Sequence, residues 1–285
     1  MTDSNIIIQR LAFAKYLIHK GNIESANAEP LSSVSILNYH DALEFAFDIV
    51  LTDKGISMNG LSFMQYFDKI NEWLRTNGRT EISLRPSLEK LKDRRVNLKH
   101  KGIFPSKTDI EESRITANNL FEELCRNIYG LDIKDVSLVE LIANERVKEL
   151  IKEAIENYSS DQKIAIEKIS LAFEFLLRDY ESSKTDFLTN SPFFFGENTT
   201  FLSSFHMGLD RGDKLTPFVD KTSESIGAMQ KAIKILAFGF DYKKYIKFRL
   251  MIPEPRWFLG SDTPKVYVSQ DAILSQNDFD FCIAI

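Results

Sequence analysis

One stretch of this 285-residue chain concentrates side chains suited to work on a polyanion. From Arg85 to Lys107 lie eight basic residues (Arg85, Lys90, Lys92, Arg94, Arg95, Lys99, Lys101 and Lys107) against two acids, Glu89 and Asp93. The local charge is +6 in a chain whose net charge is −5. Such a patch is the electrostatic footprint that a run of phosphates requires, and the plain alternative is a basic helix face balanced by acidic neighbours. At about 100° per residue, Arg95 falls in the same arc as Leu88, Leu91 and Leu98. A guanidinium in an apolar stripe is costly unless it is paired or lies at a shared, partly solvated interface. His100 sits about 140° round from Arg95, in the final turn. There the helix dipole favours the protonated ring and makes it a better base. Its other reading is a C-cap on the last carbonyls. The two side chains converge poorly on one helix, but two copies of that helix meeting across a two-fold axis would bring them together.

The element that carries them is expected from about Ser87 to Lys101, with Pro86 near its start, Gly102 just past its end and Pro105 beyond as a stop. Four further helical stripes surround it: Ile7, Leu11, Ala14 and Ile18; Ala42, Phe45, Ala46 and Ile49; Phe63, Phe67, Ile70 and Leu74; Ala117, Leu120, Phe121, Leu124 and Ile128. Together they predict a five-helix bundle over residues 1–130, with the boundary at Tyr129–Asp132, where Gly130 takes the C-cap position. Residues 131–285 read as a second, mainly helical region. Its stripes are Val147, Leu150, Ile151 and Ala154; Ile166, Ile169, Ala172 and Leu176; Ile226, Met229, Ile233 and Leu236. Ser182–Pro217 reads as a long connection or short hairpin, and Lys265–Val268 alternates like one short strand. Ser275 with Asp278 marks a last helix start, and the apolar face beginning at Phe279 predicts that the natural chain continues past Ile285.

Composition narrows the class. Hydrophobic residues make up 44% and charged residues 27%, the balance of a globular chain. Only 12 Gly and 8 Pro argue against a loop-rich all-β fold, and 22 Phe supply much of the buried area. Two cysteines, Cys125 and Cys282, make neither a disulfide framework nor a four-ligand zinc site. There is no phosphate-loop motif: Gly208 to Lys214 has the wrong spacing and no hydroxyl after the lysine. No zinc-protease or nucleophile-elbow motif occurs, and His19, His40, His100 and His206 are too scattered in sequence to suggest a metal cluster. The paired acids Glu111–Glu112 and Glu122–Glu123 read as solvated helix faces. With no signal peptide and no apolar run long enough to span a bilayer, the expectation is a soluble cytoplasmic protein.

At Arg95-Val96-Asn97-Leu98-Lys99-His100 the chain resembles the HEPN superfamily, a helical family with many RNA-cleaving toxins and defence nucleases. Its hallmark is an arginine and a histidine four to six residues apart, near the end of a late helix in a bundle of about five. Arg94 with five intervening residues is a second way to match it. The polar residue that often follows the arginine is Val96 here, with Asn97 one place later. The resemblance covers residues 1–130 and implies a metal-independent endoribonuclease without a cofactor, a toxin or antiphage-defence effector. It would act as a homodimer through the basic helix, Ser87 to Lys101. In this reading His100 is general base on the RNA 2′-hydroxyl or acid toward the leaving 5′-oxygen, and Arg95 stabilises the phosphorane-like transition state. Arg94, Lys99 and Lys101 would hold flanking phosphates and Asn97 would orient the scissile one. Products would be a 2′,3′-cyclic phosphate and a 5′-hydroxyl. The C-terminal region would sense a trigger or hold the nuclease in check, and an inhibitory or activating partner would control it. Two competitors are a non-catalytic helical interaction module and a DNA- or nucleotide-binding regulator, the latter lacking a helix-turn-helix or phosphate loop.

Overall fold

The computed structural model describes residues 4–185, 191–196, 208, 214–258 and 260–284, which hold ten α-helices and no strand. The chain divides into two compact units, Met1–Ala143 and Asn144–Ile285.

Five helices build the first unit: α1 (Ser4–Ser25), α2 (Val34–Asp53), α3 (Phe63–Thr76), α4 (Arg85–Lys101) and α5 (Lys107–Leu124). α2 is the central element. Its Ile36, Tyr39, Leu43, Phe47 and Val50 are fully buried, and each such side chain contributes about 1.5–3 kcal/mol of hydrophobic stabilisation. α1 lies along it, and Gly21 permits the close approach, because a Cβ there would stand 2.6 Å from the Tyr39 ring. The helix starts are set locally. Gln65 accepts from the Ser62 N–H before α3, and Ser106 and Asp109 exchange bonds in a capping box before α5. α5 runs on through a π-helical turn, Cys125–Tyr129, which Gly130 ends at φ +69°.

The expected boundary at Gly130 lies inside this unit. The segment after it returns to α1, where the Lys15 ammonium donates to the carbonyls of Ile133 and Val136, each at 2.7 Å, and Val136 is fully buried. The division therefore falls at Ala143.

The second unit comprises α6 (Glu145–Asn157), α7 (Gln162–Ser183), α8 (Thr216–Ala237), α9 (Tyr242–Met251) and α10 (Gln276–Ala284). Asn144, Asp161, Asp241 and Ser275 cap helix starts through their side chains. Its core gathers Ile166, Ile169, Phe173, Tyr245 and Phe248, and Phe279 stacks on Tyr158 at 4.0 Å. The short β element expected at Lys265–Val268 reduces, among the described residues, to one antiparallel bridge between Arg256 and Lys265. An alternating tetrapeptide without a partner strand has nothing to complete its ladder. Most of Ser182–Pro217 lies outside the described residues. Among those described, no helix is long and apolar enough to cross a membrane.

Candidate functional site

α4 is held to the core by Leu88 and Leu91, both fully buried. Pro86 stands in its first turn, and Gly102 ends it at φ +66° with nothing within 4 Å of a would-be Cβ, so conformation alone calls for glycine there. Arg95, in the same arc as these leucines, is half-buried. Its Nε is sealed from solvent with no hydrogen-bond partner, and among the described residues the guanidinium makes no ion pair.

The partly apolar stripe turns Arg95 towards α2, where His40, Asp41 and Glu44 share one helix face. The His40 ring is buried and stacks on Phe63 of α3 at 4.2 Å. Its Nδ1 lies 3.6 Å from Asp41 Oδ1 and 3.5 Å from Glu44 Oε2, too far for a good hydrogen bond, and is left unpartnered. Burial first, and then the positive charge of Arg95, hold the His40 pKa down at about 4, against the pull of Asp41. Burial raises the pKa of Glu44, and Arg95 opposes that rise. The result is a mixed cluster of a neutral imidazole, two carboxylates and a guanidinium, with Lys99 adding positive charge.

The donor atoms of His40, Asp41 and Glu44 lie within 4.8 Å of one another, the one grouping among the described residues whose spacing suits an ion. The positive charge of Arg95 and Lys99 on the same cluster weighs against a cation there.

The remaining expected residues divide. His100 is exposed and, among the described residues, makes no hydrogen bond, so the C-cap on the last carbonyls does not form. Lys99 is exposed. Asn97 Oδ1 accepts from the Lys101 ammonium at 3.0 Å, which joins two residues expected to touch RNA separately. Arg94 is committed to α5: its guanidinium binds Asp109 at 2.6 Å, Glu112 at 2.5 Å and Ser113 Oγ at 3.1 Å. That is a tether between helices. The acid pairs are also less idle than solvated faces. Glu112 grips Arg94, and Glu123 accepts from the Ser83 N–H at 3.0 Å.

In the sequence His40 belongs to no motif and the four histidines look scattered. The signal that would have found it is the i, i+1, i+4 spacing of His40, Asp41 and Glu44, three polar groups on one face of an otherwise apolar helix. The chain matches no family model, no curated protein and no solved structure.

Proposed function

We propose that the first unit is a metal-independent endoribonuclease of HEPN type whose site is Arg95 and His100, completed by a second copy of the chain across a two-fold axis. The observation that carries this reading is Arg95 itself. A half-buried guanidinium with a sealed, unpartnered Nε and no ion pair is expensive for stability and well suited to bidentate contact with a phosphate. His100, exposed in the last turn of the same helix, supplies the acid–base group. Attack of the 2′-oxygen on phosphorus displaces the 5′-oxygen. The imidazole accepts the attacking proton and, once protonated, donates it to the leaving oxygen. A two-fold arrangement brings one protomer's Arg95 to its partner's His100. His40 cannot serve as that base, because its ring is closed off from substrate.

Lys99 and Lys101 would meet flanking phosphates, with Asn97 oriented by Lys101. Arg94 has a smaller part here than its place in the motif suggests, being tied to α5.

Incubation with single-stranded RNA in EDTA, beside DNA of matching sequence, tests the proposal. Cleavage of RNA alone, ending in a cyclic phosphate and lost in Arg95→Ala and His100→Ala, is the expected result. Intact RNA from a dimeric wild-type protein would favour the second reading, a non-catalytic interaction module. Ile103 and Phe104, 55% and 61% exposed directly after α4, favour that reading because apolar side chains there suit docking.

A further inference from the structure

The second unit contains a cavity of about 530 Å³ walled by α7, α8, α9 and the segment around Trp257, in the size range of small-ligand sites. Its charges are unevenly paired. Glu174 accepts from the Trp257 indole N–H at 3.0 Å, Glu181 accepts from Lys234, and Glu254 accepts from Lys231. Each carboxylate thus has its own donor, and both lysines are committed.

Two guanidiniums remain. Neither Arg178 nor Arg249 is paired with a carboxylate among the described residues, although both line the cavity. Arg178 lies over Trp257, its guanidinium carbon 4.1 Å from the ring centre. Arg249 stands among Phe173, Tyr245 and Phe248 at 5.0, 5.6 and 5.3 Å. Its Nη1 reaches the Pro253 carbonyl at 3.3 Å, and its Nε is sealed from solvent without a partner. A guanidinium packed against aromatic rings and free of any carboxylate keeps donors available for a phosphate, which arginine binds by charge-assisted hydrogen bonds. The rest of the wall is aromatic or aliphatic, with Phe238 and Ile235 beside Tyr245 and Trp257, a surface suited to a flat apolar body.

We infer that this cavity binds a small organic phosphate with an aromatic ring, of the class of a nucleoside diphosphate, through Arg178 and Arg249. The site belongs to the second unit alone and does not depend on the ribonuclease reading. Neither arginine lies in a phosphate loop, which is why the sequence carries no motif for it.

Titration calorimetry of the full chain with ADP, adenosine and inorganic pyrophosphate tests the assignment. ADP is expected to bind at least tenfold more tightly than either of its parts. Arg178→Gln and Arg249→Gln should each weaken ADP at least tenfold, and Lys221→Gln, an exposed α8 lysine outside the cavity, should leave affinity unchanged. Melting curves identify a variant that fails to fold, and Arg178→Gln, at an exposed position, keeps the test standing if Arg249→Gln does. No heat with millimolar ADP, affinity matched by adenosine or pyrophosphate, or wild-type binding in a folded Arg178→Gln would overturn the proposal.

Discussion

At the scale of single residues, the chain keeps two kinds of buried titratable group, and burial moves their pKa values in opposite directions. His40 is held neutral by burial and by Arg95. Its folded pKa of about 4 lies below the unfolded value near 6.5, so below that pH the unfolded chain binds the extra proton and stability falls as pH drops from about 6.5 towards 4. The groups facing it are Asp41 and Glu44 on its own helix and Arg95 and Lys99 on α4. Relative to His40→Leu, the wild-type protein should lose on the order of 2–3 kcal/mol more over that window, as read by urea unfolding at each pH. Parallel curves would remove His40 from the acid response. The cysteines are of the other kind. Burial pushes the Cys125 thiol up to about 12 and the Cys282 thiol to about 11. A thiol reagent at pH 8 should therefore leave both unmodified until the protein unfolds, and stoichiometric labelling of native protein would contradict that burial.

At the scale of elements, packing overrides local preference. Gly21 inside α1 costs about 1 kcal/mol of helix propensity relative to alanine. A Cβ there would press into the buried Tyr39 ring, whose hydroxyl donates to Asn22 Oδ1 at 3.0 Å. Gly21→Ala should therefore destabilise the first unit, by about 1–3 kcal/mol, and a rise in melting temperature would refute the close approach. Arg94→Ala should cut the α4–α5 tether and lower the melting temperature by ~5 °C while a folded variant still cleaves RNA. Loss of cleavage with no loss of stability would return Arg94 to the site. Much of this architecture was legible: Pro86 and Gly102 bracket α4 as expected, and the apolar stripes mark the helices, because burial imposes a period of 3.6. Three features were not. The return of 131–143 to α1 depends on the Lys15 ammonium meeting two carbonyls, which no residue pattern announces. The alternation at Lys265–Val268 speaks for a strand only where another strand accepts it. His40 is easily passed over because an imidazole in an apolar helix reads as core, and only its spacing from Asp41 and Glu44 marks it as part of a polar face.

At the scale of the whole molecule, the two cores draw on separate stretches of chain. One uses residues between Leu11 and Val136 and the other residues between Ala154 and Cys282. Residues 1–143 expressed alone should therefore unfold in one cooperative transition, seen by circular dichroism, and a non-cooperative melt would mean that the first core needs the second. The central claim concerns two copies of that unit. Arg95 and His100 point about 140° apart on one helix, so the site proposed for them joins one protomer's arginine to its partner's histidine. Mixing Arg95→Ala with His100→Ala protein, after mild dissociation and reassembly, tests this most directly. Each variant alone should leave RNA intact, and the mixture should regain cleavage through the one heterodimer site that holds both native side chains. A wild-type protein that cuts while the mixed dimer stays inert, or a single variant that cuts as well as wild type, would contradict it.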